Sequence, residues 1–353
     1  MKKLYFVNAF VDYGVIGGVS IAAWALLAGF HSGERTETVY GLAAALLWVC
    51  NWPHFSATSY RLYHSAENIR QYPMTALGVP AIVLAAVAGA LASPEVLAPY
   101  FVKVFAIWSP YHFSGQTVGL CLLYARRAGV RFEALERLAL SGFVFGTFLT
   151  ATVRAETSPS GTTYYGIAYP GMGLPGWTVT VVEIWTGLCA LGLLAAAVRI
   201  SRARGGPLPP IVLLPAAAQY VWFVSGSGVA SFAEFVPFFH SAQYLLIAWS
   251  MQLKERLDRE GLSPSESYVL GESLRWGGMN IAGGAALFWL FPRVVAWCGF
   301  PLEFATGIAI AGVQIHHFFV DGVIWKLRSP AVSSPLMSNL DELLGREREA
   351  QAA

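Results

Sequence analysis

Charge is the scarcest feature of this sequence. Of its 353 residues only 12% are Asp, Glu, Lys or Arg, against about 25% in an ordinary soluble domain, and that shortage excludes a water-covered globular surface. The net charge is just +2. The arginines fall in short loops between apolar runs rather than on one basic face, which leaves no nucleic acid among the expected partners. Cysteine is scarce as well. Cys50, Cys121, Cys189 and Cys298 lie in or at the ends of apolar runs with no CxxC spacing, the pattern of small buried hydrophobes rather than of a disulfide framework or a thiolate metal site. Also missing is a small-residue cleavage site after the basic start MKK. The apolar run that follows, with Asp12 inside it, reads as a retained first helix and not as a removed leader.

What the chain does have is hydrophobic length. It is 56% hydrophobic and 14% aromatic, with a mean hydropathy of +0.52. Apolar runs of about 18 residues or more, each long enough to cross a bilayer, recur along it, and runs of this length satisfy their backbone inside a membrane only as helices. The expected fold class is all-α, a polytopic integral membrane helix bundle of about ten transmembrane helices. They are placed at 5–30, 40–63, 74–92, 96–125, 134–154, 177–199, 209–225, 228–253, 276–298 and 304–326. The connecting loops alternate in basic charge. MKK, Arg61/Arg70, Arg126/Arg127/Arg131/Arg137, Arg199/Arg202/Arg204, Lys254/Arg256/Arg259 and Lys326/Arg328 fall on one side, and chiefly Arg35 and Arg154 on the other. By the positive-inside rule both termini are cytoplasmic, with the bacterial inner (cytoplasmic) membrane as the expected location. Residues 1–328 form one transmembrane domain, and 329–353 a cytoplasmic tail with a short amphipathic helix followed by disorder. The Gly-, Pro- and Tyr-rich stretch 158–176 is an outer loop, and KERLDREGLSPSESYVLGES is expected to form a short inner surface helix with a turn.

Against this apolar background the histidines stand out. There are seven. His31 falls in an outer loop and His64 at the inner end of the second span, whereas His54, His112, His240, His316 and His317 lie inside spans. These occupy the second, fourth, eighth and tenth spans, all running from outside to inside. The next cytoplasmic basic residue follows 7, 14, 14 and 10 residues later, which corresponds to depths of about 10 to 21 Å. Polar groups at bilayer depth are costly and concentrate where they work. One such histidine alone reads as an interhelical hydrogen-bond partner, but five at comparable depth point to a shared metal site. Imidazole suits iron, copper and zinc.

The local contexts repeat: NWPHFS, SPYHFS and VPFFHS each place a proline one to three residues before the histidine. Proline removes a donor and kinks a helix, opening space beside the imidazole, although it is also ordinary in membrane helices. In QIHHFFVDGVIW, Asp321 lies five residues after His316 and four after His317, placed to accept an imidazole N–H and fix its tautomer. Glu234, Glu183, Gln243, Tyr244, Tyr111 and Gln116 are further polar candidates around the same cavity, and Asp12 and Lys103 read as a buried pair or as interface-facing groups.

The order of these motifs resembles the Brp/Blh family of membrane β-carotene 15,15′-dioxygenases. WPHF resembles the family's early proline–histidine motif through His54, and YHFS its histidine–phenylalanine motif through His112. FFHSAQY resembles the later F-[IF]-H-S segment through His240, and HHFFVD the closing histidine with aspartate five residues on, through His316 and Asp321. The resemblance implies non-haem Fe(II) held by histidines, with His54, His112 and His240 as ligands. It covers about a fifth of the chain, in four patches, and the chain is longer than the family pattern. Where the family has a second histidine four residues after the third motif's first, this sequence has Tyr244. The glycine and aspartate usual around the first histidine are also absent. His316 or His317 is expected to complete the shell. His64, ten residues after His54, stands about 15 Å away along a continuous helix.

The leading expectation is a membrane-embedded non-haem iron oxygenase acting on a hydrophobic or lipid substrate that enters from the bilayer. Cleavage of a carotenoid-type double bond is its specific form, and Tyr244 and Asp321 are the candidate catalytic groups beside the metal-ligating His54, His112, His240, His316 and His317. A membrane desaturase would carry compact HxxxH and HxxHH boxes, and a b-type cytochrome two histidines 13–14 residues apart on each of two helices; neither pattern is present. The alternative from another class is a non-catalytic transporter or metal- or lipid-binding protein that uses intramembrane His, Asp and Glu as an ion path.

Overall fold

Proline shapes several helices of this chain, because it removes a backbone donor and its ring collides with the carbonyl four residues back. The computed structural model describes residues 4–30, 36–158, 162–229, 231–325 and 330–346. Helix α1 (Ala9–Tyr13) passes through a π-turn, Gly14–Gly18, into α2 (Val19–Phe30). Helix α3 (Thr36–Leu46) passes through Leu47–Asn51 into α4 (Trp52–Tyr63), and after the short α5 (Ala66–Gln71) a π-turn at Met74–Gly78 leads into α6 (Val79–Ala92). Pro53 and Pro80 each stand second in the helix that follows a π-turn. The residue before each donates five residues back instead of four, Trp52 N to Leu47 O and Val79 N to Met74 O. The widened turn takes up the proline without ending the helix.

Helix α7 (Leu97–Arg127) carries Pro110 in its interior, and α8 (Ala134–Thr157) opens with a capping box between Glu133 and Glu136. A two-residue hairpin, β1 (Thr163–Tyr164) with β2 (Ile167–Ala168), follows. Its turn residues, Tyr165 and Gly166, both have positive φ (50° and 70°), as tight hairpin turns of this hand require. Then come α9 (Trp177–Ala203), α10 (Leu214–Tyr220), α11 (Val236–Glu260) and α12 (Glu266–Ala285). A π-turn, Ala286–Leu290, joins α12 to α13 (Phe291–Trp297), again with its proline, Pro292, second in the new helix. Helix α14 (Leu302–Ile324) and the short α15 (Pro330–Ser333) and α16 (Leu340–Leu344) complete the described chain.

Apart from the hairpin, the regular structure of the described residues is helical. Among the described residues six helical stretches are long and apolar enough to cross a membrane: Ala9–Gly29, Met74–Ala92, Ala134–Thr157, Trp177–Ala203, Glu266–Trp297 and Leu302–Ile324. That is the make-up of an integral membrane protein. The other four expected runs correspond to α3–α4, α7, α10 and α11, and three of these carry histidines of the cluster. These segments bury polar side chains, among them Asn51, Thr58, Ser114, Gln219, Gln243 and Gln252, and α10, of 7 residues, is also short. The contrast is sharpest between α9, whose apolar window is 17% buried, and α14, at 61%. Helix α9 turns Ile184, Leu188 and Leu191 outward, while α14 is enclosed on most sides.

Close helix approaches fix the frame. A Cβ at Gly284 would meet the Trp52 carbonyl carbon at 2.6 Å, and one at Gly283 the Ser56 hydroxyl at 2.2 Å. Only glycine therefore lets α12 rest against the segment of α4 that carries His54.

Several connections differ from expectation. The polar stretch 254–273 makes no separate surface helix. Helix α11 continues to Glu260, Gly261 closes it at φ 64°, and Ser265 caps α12 by accepting from Tyr268 N. Long amphipathic ends account for the polarity that suggested a surface element. The tail 329–353 does form a short helix, α16, but its described part is packed on the bundle: Val332, Leu336 and Leu343 are buried, and Leu340 N donates to Phe6 O at 2.8 Å. Met1–Lys3, His31, Arg35, Lys326, Arg328 and 347–353, used above for topology and disorder, lie outside the described residues.

Candidate metal centre

The kinks that proline introduces bring two helix beginnings together. Pro53 is the second residue of α4 and Pro237 the second of α11. Asn51, in the π-turn before α4, donates through Nδ2 to Pro237 O at 3.3 Å and to Ser241 Oγ at 3.0 Å. Ser241 Oγ in turn lies 3.0 Å from His54 Nδ1. The Asn51–Ser241 pair thus fixes the rotation of the His54 ring and leaves its Nε2 pointing inward.

His54, His112, His240 and His317 offer one nitrogen each, all within 4.8 Å of one another. They come from α4, α7, α11 and α14. His54 and His240 stand with ring centroids 5.0 Å apart, His54 and His317 4.4 Å, His112 and His240 5.3 Å, His112 and His317 4.7 Å. Neighbouring rings are steeply inclined, at 69° to 89°, so they converge edge-on rather than stack. Aromatic rings wall the cluster. Phe113 stacks on His240 at 3.9 Å, Phe318 on His112 at 4.8 Å, and Phe55 lies 4.8 Å from His54.

Four nitrogens of the cluster have no hydrogen-bond partner within the protein: His54 Nε2, His240 Nδ1, His240 Nε2 and His317 Nδ1. Buried polar atoms are satisfied almost everywhere in proteins, and each unsatisfied one is costly. A metal ion satisfies several converging imidazole nitrogens at once. Nitrogens bound at about 2.1 Å on opposite sides of an ion would lie about 4.2 Å apart, and adjacent ones about 3.0–3.4 Å. His112 Nε2 and His317 Nε2, 3.1 Å apart, already meet the adjacent spacing, and the widest pair needs to draw in by about half an ångström. The donor set of neutral nitrogens without thiolate suits a borderline transition metal.

Asp321 closes one edge of the cluster. Its Oδ2 is 3.3 Å from His317 Nε2 and 3.7 Å from His112 Nε2. Its Oδ1 accepts from Thr58 Oγ1 at 3.0 Å and from Tyr244 OH at 3.4 Å. Tyr244 OH sits 2.6 Å from Thr58 Oγ1 and accepts from Trp325 Nε1 at 3.2 Å. The result is a continuous hydrogen-bonded line from Trp325 through Tyr244 and Thr58 to the carboxylate. Tyr244 itself packs its ring 4.2 Å from that of His54; it is a neighbour of the cluster, and the fourth imidazole comes from α14.

The adjacent histidines separate. His317 is 2% exposed and joins the cluster, whereas His316 faces away, with Nε2 3.3 Å from Tyr63 OH. His64 stays at the end of α4, its Nδ1 on the Tyr60 and Arg61 carbonyls. Of the other expected polar neighbours, Gln116 donates to His240 O at 3.0 Å and Gln243 to Ile16 O at 2.6 Å. Tyr111 is half exposed at the cavity described below. Glu234 is exposed and Glu183 pairs with Arg154, both apart from the cluster. Lys103 pairs with Glu156 at 2.8 Å, and Asp12 accepts from Phe6 N, Val7 N and Tyr124 OH. Ser241, Thr58 and Asn51 were missed in the sequence. The signal for Ser241 was present, since a serine follows the histidine by one or two residues in all three proline motifs.

A cavity of about 360 Å³ opens beside the cluster, with His112, Tyr244 and Asp321 in its wall. Gln116 and Tyr111 add two more polar groups, and the rest of the lining is apolar or glycine, from α7, α8, α11 and α14, with Trp325 and Leu336. Comparison of the chain with protein-family models, curated proteins and solved structures returned no match. The family resemblance therefore rests on the four motif patches, and the chemistry of the centre on its geometry.

Proposed function

We propose that this protein is a membrane-embedded non-haem iron oxygenase acting on a hydrophobic substrate that enters from the bilayer. Cleavage of a carotenoid-type double bond is the form that the motif resemblance favours. The observation that carries the proposal is the convergence of four imidazoles from four helices, three of them buried and carrying nitrogens that lack partners. The ten-span topology with both termini in the cytoplasm, in a bacterial inner membrane, belongs to the same proposal. It is supported by the alternation of basic loops and by the six long apolar helices.

Iron held by His54, His112, His240 and His317 would supply dioxygen activation, which no side chain provides. The chain's own residues do the rest. Ser241 orients His54, and the stacked Phe113 and Phe318 hold His240 and His112 while keeping water out. The edge formed by His112 and Asp321 is the side of the cluster that meets the cavity, so an apolar molecule approaches there. Asp321 Oδ2 stands beside His317 Nε2 and His112 Nε2 at the edge of the cluster, and the Thr58 and Tyr244 hydroxyls donate to Oδ1, which fixes the carboxylate in that position.

The test is metal content after purification from iron-replete cells. Close to one iron per chain is expected, lost in His112→Ala and in His240→Ala. A protein free of transition metal under those conditions would sink the proposal and return the cluster to an ion or proton path. Expression in β-carotene-accumulating cells, read by bleaching and by the aldehyde product, tests the narrower substrate claim.

A further inference from the structure

The cavity beside the cluster is long rather than round. Its wall on α7 runs from Trp108 to Leu123, fifteen residues apart in sequence, or about 22 Å of helix. A volume of about 360 Å³ spread over that length makes a channel. Its floor lacks side chains where a channel needs room: Gly115 and Gly119 on α7 and Gly322 on α14 line it, and a Cβ at any of the three would meet nothing within 4 Å. One end is chemical, with His112 and Asp321 only 9% and 7% exposed. Beside it Gln116 keeps a buried Oε1 without a donor, while its Nε2 is engaged by His240 O and Gln243 Oε1. The other end is apolar, closed by Leu120, Leu123, Ile247 and Leu336.

Leu336 is the notable member, because it comes from the C-terminal segment and not from the bundle. It is fully buried, and its backbone is held in place by Arg127, whose Nη1 donates to Leu336 O at 2.7 Å and to Ser338 O at 3.1 Å. We infer that this channel seats one extended apolar chain, that Gly115 and Gly119 set the width it accepts, and that Leu336 sets the length. From His112 to Leu123 the channel gives about 16 Å beyond the reacting position. The inference rests on the oxygenase reading for the identity of the chain as substrate, and on the cavity alone for its shape.

The experiment uses the full-length, delipidated protein in detergent and a graded series of n-alkanols as the probe, with the hydroxyl provided for Gln116 Oε1. Retained alkanol is counted by native mass spectrometry, and bound metal and thermal unfolding are measured on the same samples. The wild type is expected to retain one chain up to a cut-off length. Gly119→Leu should lower retention at least tenfold with metal content and unfolding temperature unchanged, and Gly115→Leu is the second variant should the first misfold. Leu336→Ala should move the cut-off to longer chains. Retention unaffected by the glycine variants, or a cut-off that stays fixed in Leu336→Ala, overturns the inference. Failure of the iron reading appears separately, as missing metal in a wild-type protein that still shows the cut-off.

Discussion

Two buried polar groups of this protein solve the same problem in opposite ways. Arg127, at the C-terminal end of α7, is 1% exposed. Its guanidinium donates to Leu4 O, Tyr5 O, Leu336 O and Ser338 O and lies over the Phe6 ring at 4.0 Å. Both described ends of the chain are tied to the bundle through this one side chain, and the donors at Nε, Nη1 and Nη2 all find carbonyls. At the histidine cluster four buried nitrogens are left without partners. A fully paired buried charge holds structure together. A buried set of unpartnered nitrogens costs stability until something satisfies it, and a bound metal would do so. The comparison separates scaffold from site with no appeal to relatives.

The largest expected effect lies on the scaffold side. Arg127→Leu strips four carbonyls of their donor and unties both terminal segments. Leaving a buried acceptor without its donor costs about 1–3 kcal/mol, and four are stripped at once, so the yield of folded protein in detergent and its unfolding temperature should both fall sharply. Metal bound per folded chain should stay at the wild-type value. A variant that folds normally but loses metal would erase the distinction drawn above.

On the site side the signs reverse. His240→Ala removes a ring with two unpartnered nitrogens, so the loss of packing is partly offset and the metal-free protein should keep its stability to within about 1 kcal/mol. Metal affinity, measured by competition with a chelator, should fall by more than the factor of about 10–100 typical of an outer partner. Asp321→Asn comes next. It keeps the shape and the Thr58 contact but removes the charge beside His317 and His112, and metal affinity should drop about 10- to 100-fold. An unchanged affinity in Asp321→Asn would reduce the Trp325–Tyr244–Thr58–Asp321 line to a packing feature.

Much of this was legible in the sequence, for reasons that can be named. Long apolar runs dictate helices, and His54, His112 and His240 stood out because each follows a proline inside such a run. What the sequence could not reveal was helix rotation. Residue counts to the inner face place an imidazole in depth and say nothing of which way it points, so Tyr244 was left as a candidate at a ligand position and His316 remained beside His317. The docking of the C-terminal segment was hidden for a related reason: its anchor, Arg127, reads as one more basic loop residue until its carbonyl partners are brought to it. The channel was invisible as well, since Gly115, Gly119 and Gly322 lie on two helices and mean something only together.

The smallest expected effect is the sharpest check on that last gap. Residues four apart share a helix face and residues five apart do not, so Asp321 selects His317 (i, i+4) over His316. That spacing was the signal in HHFFVD that settles the pair. His316→Ala removes only a contact with Tyr63 at the outside of α14, and metal affinity should change by less than about twofold, within the few tenths of a kcal/mol typical of a surface substitution. His317→Ala should lose metal as His240→Ala does. Equal losses in the two variants would mean that α14 is rotated from the orientation described, and with it the channel that Gly322 lines.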